Sequence, residues 1–176
     1  MRLDDWRCGD RALVVAMHRD ADVMRYLGGP MSAARTHQAI DGWMRELART
    51  GSGLRPVRSA EDELVGLAGV AHTTWTSDGE HLEIAWRLAR EHWGNGYATA
   101  AGRAVLAECS PTELDEISAF VALDNVASQR VADRLGLVRD MSWRALRTYD
   151  TQAEPRGYGR WVHHRNKEHI HDDIAG

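Results

Sequence analysis

Cysteine is nearly absent: Cys8 and Cys109 are the only two thiols in 176 residues. That is too few for a disulfide framework, and they are not spaced as a metal knuckle. Nor does any stretch approach the roughly eighteen consecutive apolar residues of a membrane-spanning helix. The start, "MRLDDWRCGD", lacks the apolar core of a signal peptide, so the expectation is a cytoplasmic protein that does not engage a membrane. Low-complexity tracts, internal repeats and linkers rich in Pro, Gly or Ser are missing too, which leaves no seam at which to divide the chain. Excess positive charge is also lacking. The net charge of -4 offers no footprint for a nucleic-acid backbone, while a mildly acidic surface suits a cationic substrate such as an amine.

What is present is the composition of a folded domain, 43% hydrophobic and 27% charged, in a chain long enough to bury a real core. One domain over residues 1–166 is expected, with a polar tail at 167–176. Residues 2–7 read as a short first strand, and Asp10 as the N-cap of a helix carrying Leu13, Val14 and Met17. A short turn through "DADVMRYLGG" follows. Ser32 then caps a longer helix in which Ile40, Trp43, Met44 and Leu47 recur at i, i+3, i+4, i+7, and Gly51 stands where a C′ glycine belongs.

Beyond Gly51 the period changes. "LRPVR", "LVGLAGVAHTTW" and "HLEIAWRL" read as three consecutive strands joined by polar turns. In the last of them Leu82, Ile84, Trp86 and Leu88 share one face, and His81, Glu83, Ala85 and Arg87 the other. A helix over 97–109 presents Ala98, Ala101 and Val105 and stops near Pro111. "EISAFVAL" is a fifth strand. The next helix, Asn125 to Leu135, aligns Ala127, Val131 and Leu135 and closes at Gly136. Strand, helix, strand, helix predicts a parallel pair joined by a crossover, and "LVRDMSWRALRTYD" with "RGYGRWVHH" predicts a final hairpin. The fold class is α/β with a mixed sheet.

Between the fourth strand and its helix lies "REHWGNGYAT". A glycine turn at a helix N-terminus offers unpaired N–H groups and the positive end of a helix dipole, and glycines at 94 and 96 remove the Cβ atoms that would hold a phosphate away. The same letters also suit a plain turn that needs positive φ twice. Two established phosphate motifs fail here. A dinucleotide fingerprint needs glycine where Thr99 stands, and a P-loop needs a Gly-Lys-Ser/Thr triplet that does not follow.

"EIAWRLAREHWGNGYATAAGRAVL" together with "NVASQRVADRLGL" resembles the GCN5-related N-acetyltransferases (GNAT), in particular the branch of the ribosomal-protein alanine acetyltransferases RimJ and RimL. Two motifs at the family's separation support each other, and the order of elements along the chain agrees. The resemblance implies a twisted mixed sheet whose fourth and fifth strands splay apart around acetyl-CoA. Pantetheine would pair with the backbone near Trp86, Arg87 and Leu88. The diphosphate would sit on Trp93, Gly94, Asn95, Gly96, Tyr97, Ala98 and Thr99, with Asn125 and Arg130 also on the cosubstrate. The first position of the wider family signature is Glu91 here, a place that varies in this branch, and Arg90 stands where many relatives have proline. A homodimer is compatible with the resemblance.

Acetyl transfer to an amine needs a neutral nucleophile, a polarised carbonyl and departure of a thiolate. An α-amine with a pKa near 8 is roughly a tenth neutral at pH 7, so a weak base serves it. Glu83 is the candidate base, set against the alternative of a carboxylate on a solvated strand face. Ser128 is placed to hydrogen-bond the departing sulfur and Asn125 to hold pantetheine or a water, although both residue types also satisfy the free N–H groups of a first helical turn. The tyrosine that protonates the thiolate in many relatives outside this branch is replaced by Ala132. No backbone distortion near Ala85 or Trp86 is visible that would aim an N–H at the carbonyl. Met24, Tyr26 and Leu27 lie where relatives border the acceptor pocket, with helix packing as the alternative, and Trp43 reads as core. His163, His164, His169 and His171 lack metal-ligand spacing, so no metal is expected. The rival functions are an acetyl-CoA-binding regulatory module without turnover and a nucleotide-binding regulator.

Overall fold

The computed structural model describes residues 1–109, 116–149 and 154–164. The elements run β1 (Arg2–Leu3), α1 (Asp10–Arg19), α2 (Ala21–Met24), α3 (Ala33–Thr50), β2 (Gly53–Arg58), β3 (Leu64–Thr73), β4 (His81–Leu88), α4 (Tyr97–Glu108), β5 (Glu116–Ala122), α5 (Val126–Arg134), β6 (Val138–Arg147) and β7 (Arg156–His164), with one 3-10 turn at Arg90–His92. The seven strands form one sheet in the order β1-β2-β3-β4-β5-β7-β6. Every pairing is antiparallel except β4 with β5. The parallel step follows from the helical crossover between those strands, and the final hairpin folds back so that β7 lies beside β5.

Alternation along the strands sorts the core onto two faces. On one, Leu82, Ile84 and Leu88 of β4 and Ile117, Ala119 and Val121 of β5 pack with Ala101 and Val105 of α4 and with Ala132 and Leu135 at the end of α5. The small residues of α4 let the helices approach: a Cβ on Gly102 would stand 2.6 Å from the Leu135 side chain. On the opposite face Val14, Met17, Val23, Met24 and Ile40 of α1–α3 cover Leu54 and Leu67. A third cluster, Phe120, Ala122 and Tyr158 with Trp75, Trp143 and Tyr149 around them, covers the β5-β7 end.

The helix signals of α3 act as read: the Ser32 side chain accepts from Arg35 N–H, and Gly51 closes the helix at φ 74°. Trp43 is packed in the second core, stacked on Trp6, while Met44 is exposed. Three expectations need correction. The first strand spans only Arg2–Leu3. On α5, Ala127 is exposed and Ala132 takes the buried position, because the helix leans its Ala132–Leu135 side on α4. Asp10 does not cap α1; it lies inside the first turn, after Gly9.

Instead, the buried Asp10 carboxylate accepts from Arg7 N–H at 2.7 Å and from the buried Arg58 guanidinium at 2.6 Å. Arg58 also holds Asp4 at 2.8 Å, so one cation ties β2 to the segment leading into α1. Removing Asp10 takes the buried partner from Arg58 and leaves it only the more exposed Asp4. Asp10→Ala is therefore expected to cost about 3 kcal/mol in urea unfolding, the low end for breaking a buried pair. A loss near 1 kcal/mol would be that of a simple cap.

Candidate active site

The β3-β4 ladder runs in unbroken register from Thr73↔His81 to Gly66↔Leu88. On its other edge β4 meets β5 only at Leu82↔Ile117 and Glu83↔Ser118. Beyond that point β5 continues along β7, from Glu116↔His164 to Ala122↔Tyr158. The two strands thus part after Glu83, and the edge of β4 from Ile84 to Leu88 borders a gap between them, with no strand partner on that side. The even β3-β4 register confirms that no bulge interrupts β4 at Ala85 or Trp86.

On the α4-α5 face, the loop after β4 enters α4 through Gly94 and Gly96, at φ 79° and 78°. Gly96 caps α4 in the left-handed conformation, and no side chain caps the helix. The first-turn N–H groups therefore point outward without a protein acceptor. A Cβ at Gly94 or Gly96 would meet nothing within 4 Å, so the backbone conformation and the open space beyond it set the glycine requirement. The indole of the half-exposed Trp93 donates to Leu88 C=O at 3.0 Å, and Asn95 Nδ2 to Trp93 C=O at 3.3 Å, which fastens the loop to the end of β4. Tyr97 and Ala98 pack on the first core, Thr99 is buried, and Arg130 is exposed on α5.

The two sequence motifs meet across the gap. Trp86 Nε1 donates to Ser128 Oγ at 3.1 Å, and Asn125 Oδ1 accepts from Ser128 N–H at 3.1 Å. Asn125 is thus the N-cap of α5, one of its two predicted roles. Ser128 Oγ, having accepted from Trp86, keeps its own proton to donate. Ala132 is fully buried and offers no acid at the position of the missing tyrosine.

Glu83 and Arg87 face the other side of the sheet. Burial pushes the Glu83 carboxyl up to about 7, opposed by the Arg147 charge, a hydrogen bond with Thr73 and the Arg87 charge. A solvated strand face is therefore not its setting. Arg87 is partly buried and lowered to about 10 by desolvation, which still leaves it charged at neutral pH. Its side chain lies on the face away from the glycine loop, so of the predicted cosubstrate contacts at Arg87 only the backbone edge borders the gap. His18 is wholly buried, and desolvation together with Arg87 lowers it to about 3. Arginine can only donate, so neutral His18 accepts at Nε2 from Arg87 at 2.6 Å, and its Nδ1–H is left to face Thr36 Oγ1 at 3.3 Å. Arg87 Nε is buried with no partner.

Above this layer lies a cavity of about 490 Å³ lined by Leu27 to Met31, Arg35, Trp75 and Leu146 to Tyr149. The Arg147 guanidinium lies 4.7 Å from the ring centres of both Trp75 and Tyr149. Tyr149 hydroxyl contacts Tyr158 hydroxyl at 3.2 Å, which donates to Tyr26 C=O at 2.7 Å; burial raises the Tyr158 phenol. Leu27 lines the cavity, whereas Met24 is core. The acidic balance of the chain does not extend here: the cavity is lined by two arginines and no Asp or Glu. His18, Trp75, Arg147 and Tyr149 escaped the sequence reading because only tertiary packing gathers them. Among the described residues no three His, Cys, Asp or Glu side chains gather as metal ligands, and none of the helices is long and apolar enough to cross a membrane. His169 and His171, like Pro111 and the 167–176 tail, lie outside the described residues.

The model of the acetyltransferase (GNAT) domain matches residues 1–138. The chain belongs to the GNAT family. An uncharacterised Bacillus subtilis protein, YkkB, is 28% identical over 134 residues, covering 69% of this chain and 71% of its own. An Agrobacterium tumefaciens acetyltransferase superposes with a TM-score of 0.74 at 21% identity, over 93% of this chain and 90% of that one. A Vibrio cholerae spermidine N-acetyltransferase, solved with CoA and spermine, gives 0.68 at 16% identity, over 93% and 94%. A Brucella melitensis ribosomal-protein-alanine N-acetyltransferase also gives 0.68, at 17% identity, over 94% and 100%. The mixed sheet and its flanking helices are thus the GNAT fold, and a fold shared equally by enzymes named for a polyamine and for a protein does not choose an acceptor.

A raised carboxyl pKa binds protons more tightly in the folded than in the unfolded chain. The stability it contributes is complete below the ordinary value of 4.5 and is lost as pH rises through about 7. In urea titrations the wild type should therefore lose stability relative to Glu83→Gln between pH 4.5 and 7, by on the order of 2–3 kcal/mol. A constant difference across that range would mean an ordinary, solvated Glu83.

Proposed function

We propose that this GNAT domain transfers the acetyl group of acetyl-CoA to a primary amine, by direct attack while both are bound. One observation carries the reading: the gap between β4 and β5 has an uncapped glycine loop and the Ser128 hydroxyl on one face, and a carboxyl titrating near 7 on the other. The residues suit the cosubstrate. Open N–H groups at the glycine-led N-terminus of α4 fit a diphosphate, and the exposed Arg130 of α5 is the cation that the resemblance assigns to the cosubstrate. The free β4 edge at Trp86 to Leu88 fits an amide-bearing arm, although Trp93 already engages the Leu88 carbonyl. Acetyl-CoA supplies the activated acyl group.

Glu83 takes the proton of the incoming ammonium. At neutral pH it is about half ionised, and a base near pKa 7 is matched to an amine near 8. The amine nitrogen forms the new bond to the acyl carbon as the carbon–sulfur bond breaks, and the second proton that the nitrogen sheds passes to the departing thiolate or to water, leaving a neutral amide. Ser128 donates a hydrogen bond to the departing sulfur and Trp86 holds the Ser128 oxygen in place. A thiol pKa near 8.5 makes the thiolate a fair leaving group, so Ala132 in place of a tyrosine is consistent with turnover. Asn125 positions Ser128 through its cap. The acceptor enters from the cavity over Arg147, and the RimJ/RimL-like branch is the finer assignment that the two motifs support. The alternative is an acetyl-CoA-binding module that keeps the cleft without turnover.

Thiol release with a panel of amines separates the two: tight acetyl-CoA binding without amine-dependent release is the result for a module. Gly96→Val forces a β-branched residue into positive φ and places it before the phosphates, so acetyl-CoA affinity should fall at least tenfold, and intact affinity removes the cradle. Glu83→Gln should lower kcat by about 10²-fold and abolish the rise of rate with a midpoint near pH 7. An unchanged pH profile with an active acceptor means that Glu83 is not the base.

A further inference from the structure

The charge around the cavity is lopsided. Arg35 and Arg147 line it, and no described carboxylate lies within ion-pair distance of either. Arg2, Arg7, Arg11, Arg55, Arg58, Arg90 and Arg160 each hold Asp or Glu, whereas the two arginines of the cavity, like several on the open surface, hold none among the described residues; what sets these two apart is that they share one concave surface with no Asp or Glu in its lining. Beside the cavity the partly buried Arg87 interacts electrostatically with Tyr149 of the lining. Its Nε has no partner, and its Nη1 donates to the neutral imidazole of His18. A partly buried guanidinium satisfied only by neutral groups is costly. The only carboxyl in this layer, Glu83, is reserved for the proton.

The rest of the lining is apolar or aromatic: Leu27, Pro30, Met31, Trp75, Leu146 and Tyr149. Trp75 and Tyr149 grip the Arg147 guanidinium between them, which fixes its plane and leaves its N–H edge for an in-plane acceptor. Planar, pre-oriented arginine is the group that recognises carboxylates and phosphoryl-type anions.

We infer that the acceptor is an anionic amine: a primary amine whose apolar body lies against Trp75, Tyr149 and Met31 and whose carboxylate or phosphonate-type group is held by Arg147 and Arg35. Resting on the acetyl-transfer reading, this names the substrate class of the same site. A polycation is excluded from such a cavity by like charge, and a neutral amine leaves the arginines unpaired.

The test is an acceptor panel of the twenty amino acids, their carboxamides, small aminophosphonates and spermidine. Each is read by thiol release with acetyl-CoA, corrected for the fraction of neutral amine, and by calorimetric binding to the CoA-loaded protein. At least one free acid should exceed its own carboxamide about tenfold in kcat/KM and in affinity. Arg147→Gln should cut that acid-to-amide ratio about tenfold through KM. Arg35→Gln, at an exposed position on α3, should lower the same ratio and guards against misfolding of the Arg147 variant. The inference is overturned if carboxamides or spermidine equal or exceed the acids, if no acid binds, or if both variants leave the ratio unchanged. If acids bind selectively but no amine releases thiol, the anion preference stands and acetyl transfer fails; if spermidine is acetylated best, the reverse holds.

Discussion

Everything functional in this molecule depends on two strands that agree to pair and then part. β4 and β5 share two residue pairs, ending at Glu83 and Ser118, before β5 is carried off along β7. Had they remained paired, the backbone of Ile84 to Leu88 would be satisfied within the sheet and no gap would separate the strands. The separation is stable because each strand keeps a full ladder on its other side, β4 with β3 and β5 with β7. Both faces beside the gap are also backed by core, α4 and α5 on one and α1 to α3 on the other. The cost of unpaired edge groups is borne locally, at the place where an amide-bearing ligand has most to offer.

The second constraint is a balance of charge at the head of the gap. Desolvation drives Glu83 toward its neutral form, while Arg147, Thr73 and Arg87 pull it back, and the outcome near 7 is that of a group able to give and take a proton at neutral pH. Of these, Arg147 also lines the cavity, so it acts twice, tempering the Glu83 carboxyl and presenting its N–H edge to the open space. His18 completes the layer by being neutral: a protonated imidazole against Arg87 would add a third like charge, and burial prevents it. The division of labour across the sheet follows from strand alternation alone, since Trp86 must face Ser128 if Glu83 and Arg87 point to the opposite side.

Much of this was legible in the letters. "HLEIAWRL" announces its two faces, and both are used as written. "WGNGYAT" announces positive φ at a helix start, and Asn125, Ser128 and Trp86 come together as the paired motifs implied. The failures have physical reasons. Asp10 looks like a cap because caps and buried ion-pair acids share a residue type, and only the distant Arg58 distinguishes them. Ala127 and Ala132 are five residues apart and lie about 140° from each other around the helix, and two alanines carry no signal of their own as to which side faces the core, so tertiary contact chooses between them. The cavity was least legible, because Leu27, Arg35, Trp75, Arg147 and Tyr149 come from four separate segments and acquire meaning only through packing. Net acidity misled in the same way: the average of a chain says little about one concave surface.

The central claim is that the parting of β4 and β5 is the seat of acetyl-CoA. Backbone amide resonances followed by NMR during an acetyl-CoA titration test it most directly. The account predicts shifts and exchange protection at Gly94 to Thr99 and at Trp86 to Leu88, with the amides of the β2-β3 turn unmoved. Protection confined to other segments, or none at Gly94 to Thr99, would contradict it.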